Sequence, residues 1–335
     1  GVGPGDEVIT SPITFVASAN YAVYCGAKPV FADIESRTYN ISPAEIEKKI
    51  TRKTRAIIPV HFAGQSCDME NIKRIVTEAE KKYEHKIYII EDACHALGSI
   101  YKNTKVGSCA YADMTVTSFH PVKHITTGEG GAIFTEDQEL LKKLRLLRSH
   151  GITTEPGDFM NHGMAFQSVE QKERNPWYYE QIALGYNYRI TDMQCALGLS
   201  QLKKLEKFKK RRREVVNTYN SMFSKADYIQ TPFETNDCSS NFHLYVLLFD
   251  FEKIGMDRAT LMTKLKEENI QTQVHYIPVH LQPFYKNNFA TNWGDCPNAE
   301  NYYAKCLSLP LHPTLTDRDV RRVVDEILNF AGRSL

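Results

Sequence analysis

Between residues 7 and 92, short apolar and β-branched runs alternate with segments of helical character. No other feature restricts the fold as much. Residues 7–10, 29–33, 56–61 and 86–92 read as strands. Between them, residues 15–24 read as a helix ending near Gly26, and residues 68–83 form an amphipathic helical pattern. A further helix, running to about Ile50, opens with Ser42 as N-cap, Pro43 at the first helical position and Glu45 at N3. Strand–helix alternation of this kind predicts a largely parallel sheet with helices on its faces. The glycines among residues 1–5 precede the first strand instead of following it, which excludes a dinucleotide-binding fingerprint there.

Further along, Ile100-Tyr101, residues 113–117 and residues 132–135 supply more strands, and residues 136–149 a helix rich in leucine and basic residues. A polar excursion with Gly157, Gly163 and Pro176 follows, of the length that ordered loops reach when they cover sites. Residues 191–226 are expected to be one helix, whose basic run 207–213 reads as a solvated face, with phosphate binding as the rival. After Pro232 the pattern becomes strand 243–249, helix 257–268 capped by Asp257, strand 271–275 and a closing helix 316–330. The expected organisation is a large domain, 1–226, and a smaller C-terminal α/β domain, 227–335.

Composition narrows the class. Forty-one Lys and Arg against 40 Asp and Glu give a net charge of +1, so no basic field argues for nucleic acid. No apolar run approaches the roughly 20 residues of a membrane span. Eight cysteines without C-x-x-C spacing suit reduced thiols in a cytoplasmic protein, with neither a disulfide framework nor a metal site. The opening residues read as an interior turn, so the chain is expected to lack its own N-terminal segment.

Chemistry is concentrated at two places. Asp92 ends a predicted strand, at the carboxyl edge where open α/β sheets bind ligands. Lys123 lies between two other predicted strands in the glycine-rich loop SFHPVKHITTGEGG, residues 118–131. The plain readings are a capping carboxylate and a solvated loop lysine. The sharper reading brings both into one crevice, as pyridoxal phosphate requires: a lysine for the aldehyde and an acid for the pyridine nitrogen. Ser118 could then serve the phosphate, Phe15 stack on the ring and His95 lie beside it, although Phe is more often core and His more often a satisfied polar residue.

EDACHALG (91–98), the lysine loop (118–131) and LGYNYRITD (184–192) resemble, in order, the nucleotide-sugar aminotransferases of the DegT/DnrJ/EryC1/StrS family. That resemblance spans essentially the whole chain. It implies the type I fold of pyridoxal-phosphate-dependent transferases, like aspartate aminotransferase. It also implies Lys123 as the Schiff-base lysine, Asp92 as the pyridinium partner, Ser118 on the phosphate, His95 near the ring hydroxyl and Phe15 on the ring. Asn187 would reach the phosphate of a neighbouring subunit's cofactor, with Arg189 close by, so that a homodimer shares its active sites. Family members carry an upstream helix-start turn that grips the phosphate; this chain is expected to begin after it.

The form of the lysine loop, PWYYE (176–180) and VHYIPVHLQ (274–282) resemble members that make UDP-4-amino-4,6-dideoxy-N-acetyl-β-L-altrosamine, towards pseudaminic acid. The resemblance then places His275 and Tyr276 near the sugar nucleotide, L-glutamate as amino donor and a UDP-linked 4-keto-6-deoxy-N-acetylhexose as acceptor. The alternatives are transfer to a D-configured 4-keto or a 3-keto sugar, or a non-catalytic nucleotide-sugar binder. Dehydratase relatives carry histidine at the lysine position, and Lys123 disfavours that activity.

Overall fold

The structure, a computed structural model, describes residues 1–167 and 173–332. The chain begins β1 (Glu7–Thr10), α1 (Ala17–Tyr24), β2 (Lys28–Phe31), α2 (Pro43–Lys49), β3 (Thr54–Ile58), α3 (Met69–Tyr83) and β4 (Tyr88–Asp92). It continues through β5 (Ile100–Tyr101), β6 (Thr104–Lys105), β7 (Met114–Ser118) and β8 (Gly131–Phe134). Next come α4 (Gln138–Arg148), β9 (Ile152–Thr153), α5 (His162–Ala165), β10 (Glu180–Gln181), α6 (Asp192–Leu202) and α7 (Leu205–Phe223). The remainder is β11 (Ile229–Gln230), β12 (Cys238–Ser239), β13 (Tyr245–Phe249), α8 (Arg258–Glu267), α9 (Pro283–Phe289), α10 (Pro297–Lys305), β14 (Cys306–Leu309) and α11 (Asp317–Gly332).

Two compact units result, Gly1–Phe134 with Leu197–Leu335, and Thr135–Ala196. In the first, a six-stranded sheet has the order β2-β1-β3-β4-β7-β8, parallel except for β8. The expected parallel sheet with flanking helices is therefore present. Ile9, Ile57 and Ile89 pack with Ile72, Ile75 and Val76 of α3, whose first turn is capped by Asp68. A second three-stranded sheet, β11-β13-β14, shares a core with α7, α8 and α11, including Tyr219, Leu247, Phe249 and Val324. The last three residues of the expected 227–335 domain, and residues 168–172 of the expected excursion, lie outside the described residues.

Four local expectations are corrected. The helix expected over 191–226 is two helices, because the chain turns at Lys203-Lys204 and sends Leu205 into the core, whereas α6 buries nothing. The basic run is a solvated face only in part, at Lys207 and Lys210. Arg212 is buried and donates to the carbonyls of Phe242, His243 and Leu311, while Arg213 clamps Glu234 and Arg211 holds Leu315 and Asp317. Ser42 occupies the N-cap of α2 but its side chain makes no capping bond, and Glu45 pairs with Lys48 instead. Residues 271–275 form no strand beyond a bridge from Gln273 to Ser308. Side chains take the neighbouring backbone groups, with Gln273 Oε1 accepting from Val274 N–H and the Tyr302 hydroxyl donating to the His275 carbonyl.

The second unit is small. Strands β9 and β10 pair antiparallel, and the segment 184–188 is bonded to the end of α4. His150 N–H donates to Tyr186 O, Tyr186 N–H to Leu147 O, and Tyr188 N–H to Arg148 O. This close approach needs glycine: a Cβ on Gly185 would lie 2.2 Å from the Gly151 nitrogen. Neither α4 nor the part of α6 in this unit buries a residue. Among the described residues, no helix is long and apolar enough to cross a membrane.

Candidate active site

The first unit builds the site at the carboxyl ends of β1, β4 and β7. Asp92 closes β4, and the chain then turns without forming a helix, so the helix-capping reading of this residue fails. Its carboxylate is held on both sides. Oδ1 accepts the Cys94 N–H at 3.1 Å, and Oδ2 accepts the Ser18 hydroxyl at 2.7 Å.

Lys123 follows β7 in a loop that is tied to itself. Phe119 N–H donates to Gly130 O, Thr127 N–H to Phe119 O, and Lys123 N–H to His120 O. Gly131 closes the loop because any Cβ there would stand 2.7 Å from Thr117 O. Burial pulls the Lys123 ammonium below its ordinary value, and nearby Cys94 and then Asp92 oppose that shift. A larger fraction of neutral amine results, as both imine formation and proton transfer require.

His95 is buried in the turn after β4. Its Nδ1 accepts the Ala63 N–H at 3.3 Å, which leaves the proton on Nε2, 3.2 Å from the Tyr276 hydroxyl oxygen. The ring lies 4.3 Å from that of His243, which in turn lies 5.3 Å from His124. Burial keeps all three imidazoles well below their usual range, with Lys123 adding to the effect. His275 bonds Ser308 Oγ through Nδ1 at 2.8 Å, and burial followed by the Lys123 charge pushes it down to about 4. Burial first, then Asp92, pushes the Tyr276 phenol up. These groups are thus uncharged near neutrality and can orient a polar ligand beside Lys123 by hydrogen bonds alone.

Ser118 ends β7, where its oxygen accepts the His120 N–H at 3.2 Å and its own proton stays available for an anion. Phe15 stands in the β1–α1 connection with 63 % of its surface exposed. Asn187 and Arg189 belong to the second unit; both are exposed, and Asn187 bridges to Ser149. Sequence reasoning therefore placed Asp92, His95, Lys123, His275 and Tyr276 in one neighbourhood. It missed Ser18, Cys94, His124 and His243. The adjacency of His124 to Lys123 and of Cys94 to Asp92 was visible in the sequence; Ser18 and His243 depend on pairings across the fold.

The donor set suits pyridoxal phosphate, with a partly desolvated lysine amine, a carboxylate fixed by Cys94 and Ser18, and a serine hydroxyl whose proton can go to a phosphate. No group of three or more His, Cys, Asp or Glu among the described residues is arranged to hold a metal ion.

Comparison with known proteins agrees. The model of the DegT/DnrJ/EryC1/StrS aminotransferase family matches residues 1–328. The spore coat polysaccharide biosynthesis protein SpsC of Bacillus subtilis is 42% identical over 328 residues, covering 98% of this chain and 79% of that protein. Among solved structures, the sugar aminotransferase Spr1654 of Streptococcus pneumoniae in its PLP form superposes with a TM-score of 0.85 at 31% identity, covering 100% of this chain and 83% of that one. Helicobacter pylori PseC, an aminotransferase involved in the biosynthesis of pseudoaminic acid, gives a TM-score of 0.85 at 33% identity, covering 98% and 81%.

Proposed function

The chain belongs to the DegT/DnrJ/EryC1/StrS aminotransferase family and is a pyridoxal-phosphate-dependent sugar aminotransferase, and from that premise we propose its substrates and the division of labour in its site. The acceptor is a UDP-linked 4-keto-6-deoxy-N-acetylhexose, aminated at C4 with L-glutamate as donor to give UDP-4-amino-4,6-dideoxy-N-acetyl-β-L-altrosamine. The observation that carries the chemistry is the convergence of Lys123 with Asp92 and the neutral His95–Tyr276 pair. Likeness to PseC and the motifs around Lys123 and His275 support the acceptor.

In this reading Asp92 faces the pyridine nitrogen, Ser118 the phosphate, Phe15 the ring face and His95 the ring hydroxyl. The bound cofactor supplies the electron sink that lets a proton leave carbon. Lys123 Nζ holds that proton, taken from the α-carbon of glutamate, and later delivers a proton to C4 of the sugar. A partly desolvated amine suits this work because its affinity for the proton is closer to working pH than that of an exposed lysine. His275 and Tyr276 contribute uncharged hydrogen-bonding groups on the substrate side.

The enzyme works as a homodimer in the cytoplasm. Asn187 and Arg189 of one protomer serve the neighbour's site, a role supported by their exposure and by the uncovered Leu184, Tyr186 and Tyr188 around them. Eight free cysteines support a reducing compartment. A second reading, transfer to a different 3- or 4-keto nucleotide sugar, is favoured by the higher identity to SpsC, a spore coat polysaccharide biosynthesis protein, at 42%, than to PseC at 33%.

One experiment separates these. The cofactor-loaded protein is incubated with L-glutamate and UDP-4-keto-6-deoxy sugars of both configurations, and the product is read by NMR. Exclusive formation of the β-L-altro amine supports the first acceptor. Amination only of a D-configured or 3-keto sugar replaces it with the second.

A further inference from the structure

We infer that Ser18 is a positioning residue for Asp92, and that Thr14 directs it. The inference rests on the reading of Asp92 as the cofactor's charge partner. Ser18 is the second residue of α1 and is 1% exposed; Thr14, in the β1–α1 connection, is 2% exposed. Their hydroxyl oxygens are 2.8 Å apart, and the Ser18 oxygen is 2.7 Å from Asp92 Oδ2, across 74 residues of sequence.

Chemistry gives this chain of hydroxyls a direction. An ionised carboxylate only accepts, so the single proton of Ser18 points to Asp92. The contact with Thr14 must then run the other way, with the threonine donating to the serine oxygen. Each bond strengthens the next, because a hydroxyl that accepts becomes a better donor. Serine near the start of a helix usually spends its hydroxyl on the local backbone. Here the hydroxyl is diverted to another strand, and the N-cap residue Val16 offers no side-chain cap that would compete.

The consequence is a carboxylate gripped at both oxygens by different parts of the fold, Cys94 N–H on one and Ser18 on the other. Its plane cannot rotate without breaking one of these bonds. Ser18 N–H also donates to Phe15 O at 3.2 Å, so the turn that aims Asp92 carries the aromatic assigned to the ring face. The first turn of α1 thereby sets charge and stacking together.

The test compares Ser18→Ala, Ser18→Thr, Thr14→Val and Asp92→Asn in the full chain. It reads the cofactor dissociation constant by titrating the apoprotein, kcat and KM for L-glutamate, and the thermal midpoint. Loss of a charge-assisted hydrogen bond predicts that Ser18→Ala binds cofactor about tenfold more weakly and loses about tenfold in kcat, with KM unchanged. Ser18→Thr returns the hydroxyl and restores both. Thr14→Val, which removes only the outer donor, weakens both about threefold, and it reads the same effect if Ser18→Ala does not fold. A Ser18→Ala protein equal to wild type, or a Ser18→Thr protein as impaired as Ser18→Ala, overturns the inference while Asp92→Asn still disables the enzyme. An Asp92→Asn protein with wild-type cofactor binding and turnover overturns the underlying reading instead.

Discussion

The candidate site of the first unit and the exposed segment of the second follow opposite physical rules. Around Lys123 the polar groups are drawn inward, and those of His95, His124 and Asp92 are paired. His95 is bonded at both ring nitrogens, His124 donates to or accepts from Asn241 at both, and Asp92 has two donors. In the second unit apolar groups face outward: Leu184 is 88% exposed, and Trp177, Tyr186, Tyr188 and Met193 are exposed with it. Burying a polar group without a partner costs about 1–3 kcal/mol, so the bonds made by His95, His124 and Asp92 help to sustain the first arrangement. Exposed apolar surface on a rigid frame has the character of an interaction face, and segment 184–188 is rigidly framed by its three bonds to the end of α4. One region draws polar groups in; the other leaves apolar groups out.

The largest effect should come from the centre of the first region. Lys123→Ala is expected to abolish the borohydride-reducible cofactor adduct and lower transamination at least about 10⁴-fold. An adduct of undiminished yield in that variant would place the reactive lysine elsewhere.

Acid should damage the same region. Burial holds His275 at about 4 and His124 at about 3 in the folded protein, both below the ordinary 6.5. The unfolded chain therefore takes up protons first as pH falls through 6.5. Stability present above that pH is then lost progressively towards 4, by about 2 kcal/mol for each histidine at pH 5. Denaturant midpoints at pH 7, 6 and 5 measure the slope, and His124→Gln should flatten it. Equal stability at pH 5 and pH 7 would show that these imidazoles are not desolvated.

The second region is tested by charge. Leu184→Glu combined with Tyr186→Glu should weaken self-association about 100-fold or more, seen by sedimentation, and reduce activity in step with dimer loss. Because both side chains are exposed, the far-ultraviolet spectrum should stay unchanged, and the thermal midpoint should fall only by the mass action of the lost partner. A double variant that remains dimeric at the same concentration would remove this face from the interface.

Phe15 tests the boundary of the comparison, as an exposed aromatic within the otherwise inward-facing region. Phe15→Ala should alter stability by no more than about 0.5 kcal/mol and weaken cofactor binding about threefold to tenfold. A large loss of stability with unchanged binding would make the side chain structural.

Much of the site was legible in local sequence because its backbone frame is local. A strand ending in Asp92 and a lysine held between two strands require only short-range patterning, and the glycine at 131 answers a close approach to the adjoining strand. The interruption at Lys203-Lys204 was not legible, since helix propensity continues through both lysines and only the burial of Leu205 bends the chain. Nor was the fate of Arg212, whose three carbonyl acceptors come from segments about 30 and 100 residues away.

The sequence alone determined the parallel α/β frame, the family and the pair Asp92 and Lys123, because apolar periodicity and compact motifs are properties of neighbouring residues. Tertiary structure decided which hydroxyl grips Asp92, which imidazoles stack behind His95 and which tautomer His95 adopts. Those facts depend on donors and rings brought together from distant segments, and hydrogen bonds and desolvation act over a few ångströms whatever the separation along the chain.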